Sequence, residues 1–60
     1  MRSKPLILVV DDEENFREIF SAKIGAAGFD VQVAKNEAEA ITKSKELMPD
    51  LILMDIFMPP

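Results

Sequence analysis

The stretch Leu6-Ile7-Leu8-Val9-Val10-Asp11-Asp12 decides the fold class, because five consecutive apolar residues run straight into two acids. The run is continuous rather than alternating. In a chain this short, that pattern suits a strand covered on both faces, as in a parallel sheet. A second run of the same kind, Leu51-Ile52-Leu53-Met54, also ends in an acid, Asp55.

Between these runs the pattern changes period three times. From Asn15 onward, Phe16, Ile19, Phe20, Ile24 and Ala27 recur at three- and four-residue steps, which predicts an amphipathic helix. Acids at its front, Lys23 in its back half and Gly28 just past its end agree with helix polarity and a glycine stop. Phe29 to Ala34 then alternates, with Phe29, Val31 and Val33 on one side and Asp30 and Gln32 on the other, which predicts a short strand. Asn36 with Glu39 three positions on is close to a capping box. A second helix follows through Ala40, Ile41, Ser44, Leu47 and Met48, and Pro49 ends it. The expected order is β-α-β-α-β. Such alternation with short connections argues for parallel strands joined by right-handed crossovers.

Composition narrows the function classes. Sixty residues allow one small domain, spanning residues 1–60. Cysteine and histidine are both absent, which removes disulfides, zinc sites and every Cys- or His-based catalytic mechanism. Apolar residues make up 48% and charged residues 30%, a globular balance. A net charge of -4 with seven scattered Lys and Arg residues argues against gripping a phosphate backbone, so no nucleic acid is expected as a partner. The run from Pro5 to Val10 is far too short to span a membrane. It ends in acids rather than the small residues of a signal-peptide cleavage site. The expectation is a cytoplasmic domain.

The two most apolar strands both finish in aspartate. In open parallel α/β sheets, ligands bind beyond the carboxyl ends of strands near a topological switch point. If the two strands are neighbours, Asp11, Asp12 and Asp55 converge at one sheet edge. Carboxylates brought together repel unless a cation is present. Mg2+ suits such a site, because it takes one or two carboxylates, keeps several waters and accepts phosphate oxygens. The bland alternative is that acids between a strand and a helix serve as caps and dipole partners. That is the expectation for Glu13 and Glu14, and in part for Asp11. Asp55 precedes no evident helix, and spacing alone leaves open a ligand or a solvated loop carboxylate.

Leu8-Val9-Val10-Asp11-Asp12-Glu13 resembles the first strand and acidic pair of response-regulator receiver domains. Pro49-Asp50-Leu51-Ile52-Leu53-Met54-Asp55-Ile56-Phe57-Met58-Pro59 resembles the strand and loop around their phosphorylated aspartate. Gly28-Phe29-Asp30-Val31 and Ala34 through Ala40 fit the intervening strand and helix, so the resemblance covers essentially the whole chain. It implies a flavodoxin-like half-domain with parallel sheet order 2-1-3. It also implies that Asp55 is the phosphoacceptor for a sensor histidine kinase or phosphotransfer protein. Asp11, Asp12 and Asp55 would hold Mg2+, Asp12 directly and Asp11 through water, with Phe57 adding its backbone carbonyl.

The same resemblance implies gaps. The family's last two strands and last three helices have no counterpart in these residues. With them go a hydroxyl residue, a switch aromatic and a lysine that act on the phosphoryl group. Lys35, Lys43 and Lys45 do not stand in for that lysine; they are expected as surface residues or in pairs such as Glu39 with Lys43. Phosphotransfer is therefore expected to be impaired, and the chain itself is not expected to be an enzyme. The third strand would be an apolar edge, a template for association. Completion as a homodimer is the expected remedy. The alternative function is a structural half-domain that assembles through that edge without signalling. A haloacid-dehalogenase-type phosphatase wants a second aspartate where Phe57 stands, and a nucleotide-binding module wants a glycine-rich turn that is absent.

Overall fold

The computed structural model describes residues 3–54. They form β1 (Leu6–Val10), α1 (Glu14–Ala26), β2 (Asp30–Ala34), α2 (Glu37–Leu47) and β3 (Leu51–Met54). The three strands make one parallel sheet in the order β2-β1-β3. The expected topology holds, and the continuous runs mark the strands to the residue. The first run owes its fate to position. As the central strand, β1 is buried at every residue, with Leu8, Val9 and Val10 almost completely out of water.

The strands stand in register, Leu6 opposite Asp30 and Ile7 opposite Leu51. Asp30 donates its N–H to the Pro5 carbonyl at 3.0 Å, and Asp11 donates its N–H to the Ala34 carbonyl at 3.1 Å. Odd-numbered positions along β1 therefore turn their backbone groups toward β2, and even-numbered ones toward β3, by the alternation of a parallel ladder. Leu6 obeys that rule: its carbonyl accepts from the Asp50 N–H at 2.8 Å.

Both helices lie over β1 and β2, and neither packs on β3. Leu8, Val10, Ala34 and Ala40 form the core beneath α2. On the other face, Ile7 and Val9 lie beneath α1. The apolar stripe of α1 is less buried than its spacing predicts. Phe16, Ile19 and Phe20 are all more than two-fifths exposed, and no residue of α1 is fully buried. The helix rests on Ser21 and Ile24 instead, while Phe16 and Phe20 stack, with ring centroids 6.3 Å apart, beside the uncovered β3.

The helix ends show how local chemistry sets boundaries. Gly28 has φ +100, a conformation that costs glycine little. Its N–H bonds to the Gly25 carbonyl, and the Phe29 N–H reaches the Ile24 carbonyl at 3.3 Å. That pair of bonds is the Schellman arrangement, which satisfies carbonyls the helix would leave orphaned. At the start of α2, Asn36 Oδ1 accepts from the Glu39 N–H at 2.8 Å, as the sequence predicts. The return leg differs, since Glu39 Oε1 accepts from the Lys35 N–H at 3.2 Å rather than from Asn36. At the far end, α2 stops with Met48 in the left-handed region at φ 50, and Pro49 follows. That strained residue has no sequence signature, because methionine is not a usual choice there.

Two further expectations are corrected. The Glu39–Lys43 pair is replaced by Lys35–Glu39, with Nζ and Oε2 3.8 Å apart. The Lys43 ammonium instead donates to the Val33 carbonyl on the open side of β2. The strand β2 itself begins at Asp30, one residue later than the alternation predicts, since Phe29 is taken up by the helix stop.

Candidate functional site

The carboxyl end of β1 carries the first two predicted site residues. Asp11 directly follows the buried run and is itself buried, at 4% exposure, while Asp12 is exposed. A carboxylate out of water needs donors or a cation. One donor is local: the Glu13 N–H reaches Asp11 Oδ1 at 2.9 Å, a turn of the kind aspartate makes with the backbone two residues on. The Arg17 side chain comes back from the first turns of α1, but its Nη1 bonds the Asp11 backbone carbonyl at 2.8 Å. Among the described residues no cation pairs with the Asp11 carboxylate.

The capping role expected of the glutamates is only partly realised. Glu13 occupies the N-cap position of α1 without a side-chain cap bond, and Glu14 sits in the first turn. Asp11 provides the local hydrogen bond instead, through Oδ1.

The condition for convergence is met by the strand order. Strands β1 and β3 are neighbours, and Val10 stands opposite Met54, one residue before the acids that end each run. The sheet order reverses direction between them, which makes their carboxyl ends the switch point of the fold. Asp55 and Phe57 lie outside the described residues, and among those described no group of three acidic ligands forms. A buried aspartate without a cationic partner beside an exposed one is a donor set that suits a hard, hydrated cation. The described half of the site thus fits Mg2+ by its oxygen chemistry.

Next to Asp11 opens an apolar groove of about 370 Å³, lined by Asp11, Phe16, Phe20, Leu53 and Met54 among others. It exists because α1 leaves β3 uncovered. Two residues near the strand ends were not singled out by sequence reading. Arg17 could have been found from its place one turn into the helix that follows the acidic loop. Asp50 precedes β3 and accepts the Leu6 N–H on Oδ2 at 2.7 Å.

The sequence matches the response regulator receiver domain over residues 7–60. The chain belongs to the response-regulator receiver family. Among curated proteins, this receiver chain is 40% identical over 53 residues to the DNA-binding response regulator MtrA of Mycolicibacterium smegmatis, covering 88% of the chain and 23% of that protein. It is 42% identical over 53 residues to the regulatory protein AtoC of Escherichia coli, covering 88% of the chain and 12% of that protein. Among solved structures, it superposes on the Vibrio cholerae chemotaxis protein CheY4 with a TM-score of 0.90 and 32% identity. That match covers 95% of the receiver chain and 48% of CheY4. The chain therefore spans about a quarter or less of the curated relatives named and about half of CheY4. Among the described residues, no helix is long and apolar enough to cross a membrane.

Proposed function

We propose that this chain carries the phosphoacceptor and Mg2+-binding side of a receiver domain. The single observation behind this is the buried Asp11 carboxylate, beside exposed Asp12, at the end of a strand whose neighbour leads directly into Asp55. In this reading Asp55 is the nucleophile. One of its carboxylate oxygens bonds to phosphorus as the P–N bond to a phosphohistidine donor breaks, and the freed imidazole keeps the bonding pair. The product is an acyl phosphate, as in other aspartyl-phosphate chemistry.

Asp12, Asp11 and the Phe57 backbone carbonyl would hold the cation beside Asp55. The cation, when bound, neutralises charge on the transferring group, which is most of what phosphoryl transfer asks of a protein. The donor would be a sensor histidine kinase or a phosphotransfer protein. The chain is a substrate and switch rather than an enzyme.

Incubation with Mg2+ and a small acyl-phosphate donor, followed by intact mass measurement, tests this. A phosphoryl adduct that disappears in Asp55→Asn supports the reading. No adduct on the unaltered chain removes phosphotransfer, although Mg2+ binding could survive.

A second reading is favoured by one observation. All four residues of β3 are between 42% and 51% exposed, and both helices leave it bare. An apolar edge strand of this kind favours association, and a second copy related by two-fold symmetry is the commonest partner. The chain then acts as a homodimerising structural half-domain. Sedimentation across a dilution series separates the cases, since a well-folded monomer at low concentration sinks the second.

A further inference from the structure

The Arg17 side chain reaches back over the loop that carries the acid pair. Its Nη1 donates to the Asp11 carbonyl at 2.8 Å, and its backbone N–H bonds the Glu13 carbonyl at 3.1 Å. One residue of α1 therefore holds the chain on both sides of Asp12.

Asp12 has no such tie of its own. Its side chain is exposed, and among the described residues it makes no hydrogen bond or ion pair. Its position is inherited from the backbone. A peptide unit is rigid and planar, so the Asp11 carbonyl oxygen and the Asp12 nitrogen move together. Holding that oxygen fixes the plane from which the Asp12 Cα departs. The Asp11 N–H is bonded to the Ala34 carbonyl at 3.1 Å, and Asp11 Oδ1 accepts the Glu13 N–H at 2.9 Å. Those bonds fix the entry and the exit of the loop. The Arg17 bond fixes the peptide between them, and Glu13 at the N-cap adds no side-chain bond in support.

The choice of acceptor matters. An arginine one turn into a helix and close to two acids would ordinarily pair with a carboxylate. Among the described residues it pairs with neither, and the half-buried guanidinium goes to a backbone oxygen instead. Both carboxylates are left to a cation.

We propose that Arg17 is the positioning residue for Asp12, holding the Asp11–Asp12 peptide in the orientation that presents Asp12 to a hydrated Mg2+. Mg2+ demands near-ideal octahedral geometry, whereas Ca2+ accepts more ligands at longer and more variable distances. A loosened Asp12 therefore penalises Mg2+ more than Ca2+. The metal consequence rests on the function proposed above; the pinning of the peptide does not.

Arg17→Met tests both parts, because it keeps an unbranched side chain of high helix propensity and removes every donor. Arg17→Lys restores one charged donor, which is all that a single bond to a carbonyl requires. The first measurement is made without metal. Nitrogen-15 relaxation should show the Asp12 amide as ordered as β1 in the unaltered chain and in Arg17→Lys, and falling below an order parameter of about 0.6 in Arg17→Met. An Asp12 amide that stays ordered in Arg17→Met overturns the proposal. Should Arg17→Met fail to fold, Arg17→Gln, whose amide ends short of the carbonyl, gives the same comparison.

The second measurement is a pair of titrations, with Mg2+ and with Ca2+. Mg2+ affinity should fall about tenfold in Arg17→Met, the range of outer-shell partners, Ca2+ affinity should fall clearly less, and Arg17→Lys should recover both. Equal losses for the two ions would make Arg17 an ordinary stabilising contact, and equal gains would make it a repelling charge; either overturns the link to the site. If the unaltered chain binds neither ion, the metal reading falls, and the relaxation data alone judge the pinning.

Discussion

The Lys43 ammonium donates to the Val33 carbonyl, so a helix residue seals a backbone group on the outer side of β2. The two edges of the sheet are consequently unlike. The β2 edge carries a cation and two exposed polar residues, Asp30 and Gln32, whereas the β3 edge is apolar throughout. Charged side chains on an edge are the usual protection against strand addition.

Lys43→Ala should therefore do two things. It removes a part-buried bond to a charged donor, which should cost about 1 kcal/mol, less than the usual value for a charged donor because the group is partly exposed. It also opens a second edge. Urea denaturation should show the loss, and light scattering should show greater association than in the unaltered chain.

Asp11→Asn separates the two tasks of that side chain. The amide keeps an oxygen for the Glu13 N–H, so the turn into α1 survives and thermal stability should change little. The charge is lost. If Asp11 holds the cation through water, Mg2+ affinity should fall at least about tenfold, the range typical of outer-sphere partners. Calorimetric titration with Mg2+ and a melting curve together check it. An unchanged affinity would reduce Asp11 to a loop-closing residue.

Ser21 offers a stabilising change. Its Oγ is buried against the sheet and has no hydrogen-bond partner among the described residues. Ser21→Ala removes an unsatisfied hydroxyl and adds helix propensity, so it should raise stability by about 1 kcal/mol. Denaturant midpoints with an unchanged slope would confirm a true gain.

Ile52→Lys addresses the open strand. A lysine in the middle of β3 should blunt the edge while leaving the core, which lies under β1, intact. Sedimentation should show the variant shifting toward monomer relative to the unaltered chain. Association that persists unchanged would place the contact elsewhere, with the groove beside Phe16 and Phe20 as the next surface to alter.

Much of the fold was legible in the residues. The runs Leu6–Val10 and Leu51–Met54 mark two strands to the residue, because short continuous apolar runs, too short for a helix and ended by acids, suit strands of a parallel sheet. Gly28 and Asn36 announce a helix stop and a helix start, since each does locally what few other residues can. The place of Asp11 and Asp12 at the end of β1 was legible too, because the acids directly follow the apolar run that forms the strand.

What tertiary structure decided is everything that depends on which strand lies beside which, and on what each helix fails to cover. The two apolar runs look alike in sequence, yet among the described residues β1 is buried throughout and β3 is about half exposed, because order β2-β1-β3 puts β1 between the other two strands. Lys43 reads as one half of a helix salt bridge, but β2 passes within its reach and offers a carbonyl. Asp50 reads as an unremarkable loop acid until Leu6, far away in the chain, is brought against it. Residue type and spacing determine local structure and chemistry; burial and partners belong to the packed chain, where distant segments compete for the same groups.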